Sequence, residues 1–227
     1  LQRLDGAIVG GLGHVNATGD VKGVEILSWL PIQVPQTETG KSYAFSPTLV
    51  LDLYQTPEKL QATSQWKAIT KIVAEMNEAC RAAGARFVLI YTPSKPHVLL
   101  PIAGRLPVEK FRAFAELRAK EKLPPPAEFY EKMLASLDVK ETLTREFCAA
   151  KSIPFVSLTE VLRKSAARGE QVYFTYDDHF SPKGHEVAAL ALTAFLAGQS
   201  RDSSAEPPDG ATAPPTDPST MTASDGP

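Results

Sequence analysis

The chain has 227 residues, 43% of them hydrophobic and 22% charged, with a formal net charge of -2. That length suits one domain of ordinary size with its own core, plus a tail, and the near-neutral charge supplies no field to gather nucleic acid or anionic lipid. No apolar run approaches the ~20 residues that span a bilayer, so no membrane span is expected. The two cysteines, Cys80 and Cys148, fall in stretches of helical periodicity and form no C-x-x-C pair. A structural zinc site, a disulfide framework or a cofactor is therefore not expected. The first residue is Leu1 and no basic-then-apolar leader follows it, which reads as a processed product or fragment and leaves the compartment unknown.

Residues 1–60 carry two short strand-like runs, Val24 to Leu30 and Ser42 to Phe45, around a polar, Pro-containing turn. They are expected to form a β-rich hairpin or an insertion packed at a sheet edge. From Thr63 to Ala83 the residues Ile69, Ile72, Val73, Met76 and Cys80 recur at helical spacing, predicting one apolar helix face that Gly84 terminates. Arg86 to Tyr91 follows as a short apolar run bounded by Gly84 and Pro93, the pattern of a strand buried on both faces of a parallel sheet.

A second unit repeats the order. Helical pattern over Pro126 to Lys151, with a break near Asp138, leads into a strand over Ile153 to Leu158, and Thr159 is placed to cap the next helix. Ser181 and Pro182 are N-cap and first residue of a last helix, whose core face is read as Val187, Leu190, Ala191, Ala194 and Phe195. From Ser200 to Pro227 the chain is Ser, Thr, Asp, Ala, Gly and Pro-rich with no aromatic residue, the composition of a disordered tail. Alternating helices and apolar strands predict an α/β fold with a mainly parallel sheet over residues 61–199.

In open parallel sheets ligands sit beyond the carboxyl ends of the strands. Two loops qualify: Tyr91 to His97, and the acidic loop ending at His179. Within the second, Asp177 and His179 stand two residues apart before a helix, close enough for the carboxylate to orient the imidazole and leave its other nitrogen as a general base. In the first loop, Ser94 follows a strand as nucleophiles often do, but Pro93 and Pro96 describe a rigid loop and not a strained turn into a helix. Lys95 offers a cation for a substrate carboxylate or a developing negative charge. Asp177, Asp178, His179 and His185 also make a possible metal cluster, for which a solvated helix entry is the simpler account. His14 and His97 have no partner close in sequence and read as surface histidines.

The segment Asp177-Asp178-His179-Phe180-Ser181-Pro182-Lys183-Gly184-His185 closely resembles the last sequence block of the SGNH/GDSL hydrolase superfamily, where a D-x-H or D-x-x-H pair precedes an N/S-P-x-G pattern and a terminal helix. It is similar in particular to SGNH-like proteins of polysaccharide O-acetylation, and Gly84 to Lys95 resembles the penultimate region of the same domain. The resemblance covers roughly Trp66 to Leu196. It implies a three-layer α/β/α flavodoxin-like sandwich and a serine esterase or O-acyltransferase acting on an ester or acylated carbohydrate, in a branch often exported in bacteria. It also implies a G-D-S nucleophile block on the first strand, together with a Gly and an Asn that complete the oxyanion site. This chain has no Gly-Asp-Ser, since Gly19-Asp20 is followed by Val21, and Gly13-His14-Val15-Asn16 lacks the acid of the G-x-N-D block. The resemblance therefore carries over to Asp177 and His179 as triad acid and base, in a domain expected to be incomplete at its N-terminus. The alternative expectation is a catalytically inert SGNH-like module that binds a glycan or a partner protein. A metal-dependent hydrolase built on the acidic loop is the third.

Overall fold

The computed structural model describes residues 3–4, 7–8, 29–34, 42–104 and 106–202. The expected strand residues 24–28, His14, and the tail from residue 203 onward lie outside the described residues. The architecture is mixed α/β, with helices predominating over small sheets.

Strands β1 (Arg3–Leu4) and β2 (Ala7–Ile8) pair antiparallel. Strands β3 (Leu30–Gln33) and β4 (Ser42–Phe45) form an antiparallel hairpin, with Leu30 opposite Phe45; β4 matches its expected run, but β3 begins at Leu30, where the expected strand ends, and takes in Pro31 to Gln33, which read as turn. The chain then enters two helices that the sequence pattern did not show, α1 (Pro47–Leu53) and α2 (Pro57–Ala62). Both are too short to display a helical repeat, and each is announced only by a hydroxyl residue followed by proline at its first position.

Helix α3 (Ser64–Ala82) follows the prediction closely. The Thr63 hydroxyl accepts from the Trp66 N–H at its start. At its end Gly84, at φ +68°, lets the Gly84 and Ala85 N–H groups reach the Arg81 and Cys80 carbonyls, which satisfies the last turn. Its predicted apolar face is not covered: Ile69, Ile72 and Met76 are about half exposed.

Next come β5 (Leu89–Tyr91), α4 (Lys95–Leu99), a 3-10 turn at Leu100–Ile102, α5 (Val108–Glu116), α6 (Pro126–Ser136), α7 (Val139–Ala150), β6 (Phe155–Ser157), α8 (Thr159–Ala167) and α9 (Pro182–Asp202). β5 and β6 pair in parallel, Leu89 opposite Phe155 and Tyr91 opposite Ser157, so the predicted crossover is present. The α6–α7 break falls at Leu137 and Asp138, where it was read.

Three expectations are corrected. β5 is not buried on both faces, since Ile90 is 44% exposed; among the described residues it pairs on one side only. Thr159 does not cap α8; its N–H bonds to the Ser157 hydroxyl and its own hydroxyl donates to Glu141. The core face of α9 is Val187, Ala188, Ala191, Leu192 and Phe195, with Leu190 at 63% exposure and Ala194 exposed. An Ala-rich helix offers two nearly equivalent apolar stripes, and packing chose the neighbouring one.

One core runs from the hairpin to α9. Phe111 and Phe129, both fully buried, stack at 5.7 Å between α5 and α6, with Tyr54 against Phe129 at 4.9 Å. Val98, Leu99 and Leu100 join this core to Leu158 and Leu162, and each such side chain contributes about 1.5–3 kcal/mol through burial.

Candidate functional site

The loop that carries Asp177 and His179 is a closed hairpin-like turn between α8 and α9. Val172 O accepts from Ser181 N at 3.0 Å, Tyr173 and Phe180 form an antiparallel bridge, and Phe174 N donates to His179 O at 3.2 Å. Below this ladder the Ser181 hydroxyl donates to Gln171 O and accepts from Gly184 N, so one residue both caps α9 and closes the loop. Tyr173 is buried against Phe180, ring centroids 5.0 Å apart, and donates its hydroxyl proton to Pro93 O at 2.7 Å. The tip, residues 174–179, is thus held at a fixed place on the core.

At that tip one Asp177 oxygen, Oδ1, accepts from the His179 backbone N–H at 2.9 Å and lies 2.5 Å from His179 Nδ1. These bonds from His179 hold the Asp177 carboxyl below its ordinary range. They fix the imidazole as donor at Nδ1 and leave Nε2 free as an acceptor. The imidazole is 86% exposed, so Nε2 faces outward from the loop. The structure brings the two residues singled out in the sequence into contact. Among the described residues, no serine hydroxyl is hydrogen-bonded to His179.

Lys95 stands elsewhere than a rim lysine would. Its side chain is fully buried, and its ammonium donates to Ala44 O at 2.7 Å and to Phe174 O and Thr175 O at 3.1 Å each. Asp178 Oδ1 lies 3.6 Å away, and the Trp29 ring centroid 4.7 Å away, within cation–π range. Three carbonyl acceptors match three ammonium protons. Burial pulls the Lys95 amine down to about 8, with Asp178 opposing the fall, and raises the Asp178 carboxyl against the pull of Lys95. The segment read as a rigid loop is instead a turn into a helix, with Pro96 in the first turn of α4; Ser94 is its N-cap without a side-chain bond, and its buried hydroxyl has no hydrogen-bond partner.

Three residues around Lys95 were not singled out in the sequence: Trp29, Ala44 and Ser46. Ser46 links β4 to α1 and is buried beside Asp178, where its hydroxyl favours the ionised carboxyl. Asp178 was read as a solvated helix-entry residue, whereas it is the carboxylate facing Lys95. One signal was available, because Lys95 lies three and four residues before Val98 and Leu99 and so shares their buried helix face.

His97 is likewise no surface residue. It is fully buried, with Nε2 2.7 Å from Asp138 Oδ1. His97, Asp138 and Glu141 offer atoms within 4.8 Å of one another, but Arg163 stands 3.5 Å from Asp138, and Glu141 takes bonds from Arg145 at 2.7 Å and Thr159 at 2.6 Å. The carboxylates are already neutralised by arginines, which makes this a structural cluster and a poor cation site. His185 packs its ring on Phe180 at 5.6 Å.

A separate cavity of about 580 Å³ opens along the β5 edge, between α3 (Trp66, Ile69) and α7 (Thr144, Phe147). Neither Asp177 nor His179 lines it. No protein-family model, curated protein or solved structure matches the chain.

Proposed function

We propose that the chain supplies the acid/base half of an SGNH/GDSL-type esterase or O-acyltransferase site, with Asp177 and His179 as the acid and base of a Ser-His-Asp triad. The observation that carries this is the 2.5 Å contact between Asp177 Oδ1 and His179 Nδ1, which leaves Nε2 as a directed base. The serine comes from outside the described residues. His179 Nε2 takes the proton of that serine as its Oγ bonds to the acyl carbon. The bond from acyl carbon to the alcohol oxygen then breaks, and the leaving alcohol receives the proton from His179. Water or a sugar hydroxyl repeats the sequence in reverse and frees the serine. Asp177 stabilises the imidazolium throughout.

The β5 edge that carries no strand among the described residues, flanked by helices on either side of the cavity, fits a three-layer sandwich to which a further strand adds. That is the place for a strand bearing the nucleophile. Expressing the coding frame on the amino-terminal side of Leu1 together with this chain is the test. Such a product is expected to release acetate from p-nitrophenyl acetate or acetylated polysaccharide, and His179→Ala is expected to lower kcat/KM by roughly 10²–10⁴-fold.

The absence, among the described residues, of a serine bonded to His179 favours a second reading, a catalytically inert module that binds a glycan or partner. It predicts polysaccharide binding with no ester cleavage and no effect of His179→Ala. That outcome would replace the first reading.

A further inference from the structure

We propose that Lys95 is a positioning residue for the acid/base pair: its buried ammonium, with Asp178 as counter-ion, fixes where Asp177 and His179 stand. This inference rests on the reading of Asp177 and His179 as that pair. Lys95 comes from α4, yet everything it holds belongs to other segments. Ala44 lies in β4, while Phe174, Thr175 and Asp178 belong to the loop whose tip carries the pair. A second tie between the same two segments runs directly through the backbone, from Ala44 N to Thr175 O at 3.0 Å.

Two carbonyls preceding the pair and one carboxylate within it therefore converge on a single cation, and Trp29 closes the cluster from the hairpin side. Removing the cation takes the ammonium donor from the buried Ala44 carbonyl and the part-buried Phe174 carbonyl, while Thr175 O keeps only the Ala44 N–H, a loss that favours movement of the loop. A loop carrying Phe174 and Thr175 outward takes Asp177 and His179 with it, because Phe174 N is bonded to His179 O at 3.2 Å. Among the described residues the imidazole is anchored by Asp177 alone, and Asp178, which stands between the two, faces Lys95, so a change at Asp178 shows in the geometry of the Nδ1 bond.

The experiment uses the whole chain labelled with 15N-histidine, the His179 resonances being assigned by their loss in His179→Gln. Long-range 1H–15N spectra give the population of the Nδ1–H tautomer. Lys95→Met keeps the length of the stem and removes the cation. It is expected to remain folded, as judged by circular dichroism, while the Nδ1–H bias of His179 is lost. A folded Lys95→Met protein with unchanged His179 signals overturns the proposal, whatever its melting temperature, because that is what a purely structural lysine gives. Should Lys95→Met fail to fold, Asp178→Asn is read the same way: a shift of the His179 nitrogens supports the proposal and unchanged signals overturn it. In the serine-containing form, Lys95→Met is expected to lower kcat about 100-fold with KM nearly unchanged. Tautomer loss in a protein without ester cleavage would keep the positioning role and remove the acyl-transfer reading, so the two fail separately.

Discussion

At the scale of single residues, Gly184 explains one letter of the Ser-Pro-Lys-Gly pattern. It sits in the first turn of α9, where a Cβ would lie 2.1 Å from Val172 O and 3.0 Å from Phe180 Cβ. The first of these is a backbone atom that also accepts the Ser181 N–H, so it cannot move without opening the loop. Alanine in place of glycine stabilises an ordinary helix position by about 1 kcal/mol. Gly184→Ala is expected to do the opposite here, lowering stability by about 1–3 kcal/mol in urea titration. A stabilised variant would mean that helix and loop do not touch as described. The pattern was legible in the sequence as a helix start; the reason for glycine was not, because it depends on a residue twelve positions earlier. Lys95 was only partly legible for a related reason. Its spacing to Val98 and Leu99 points to a buried face, but its partners lie 51, 79 and 80 residues away, and no local pattern names them.

Among the elements, those with long repeats or unambiguous stops were predicted well. α3 has five turns and a Gly84 end, and the α6–α7 break falls where Asp138 interrupts the pattern. Those set by tertiary contact were not: α1 and α2 lack length, and the α9 stripe was chosen by packing. The junction of α4, α7 and α8 is where such contact carries a measurable property. His97 on α4 is held against Asp138 at the α7 start, with Tyr91, Glu141 and Arg163 as the other titratable or charged groups facing it. Burial, outweighing Asp138, lowers the His97 imidazole below its ordinary value of about 6.5. Burial raises the Asp138 carboxyl, but His97 and Arg163 outweigh it and leave that group below its ordinary value. As pH falls below 6.5, the unfolded chain takes up a proton that folded His97 refuses, so stability is full above that pH and is lost on acidification. Asp138 adds to the loss in the same direction at lower pH. The urea midpoint is expected to fall between about pH 7.5 and about pH 5.5, and His97→Gln to be less stable yet to show a flatter dependence over that window. Equal slopes in the two proteins would remove His97 as the source.

For the whole molecule, the decisive feature is a sheet that, among the described residues, stops at β5. A two-stranded parallel sheet is rare outside a covered α/β arrangement, because its strands are apolar on both faces. Here Ile90 is 44% exposed on β5, and Ile69, Ile72 and Met76 are 57%, 53% and 49% exposed on α3. Ile69 and Ile90 line the same 580 Å³ cavity. An unpaired strand edge offers N–H and C=O groups to any extended segment, and apolar flanks add a hydrophobic reason to accept one. The isolated 227-residue chain is therefore expected to self-associate as concentration rises, followed by light scattering after size exclusion. Ile90→Lys, which places a charge on the edge strand without touching Lys95, Asp177 or His179, is expected to suppress that association. Association unaffected by Ile90→Lys but abolished by Ile69→Glu would place the contact on the helix face alone. A monomer at high concentration with a single cooperative melt would mean that the edge needs no further strand. The sandwich reading, and with it a nucleophile arriving on that strand, would then lose its structural support.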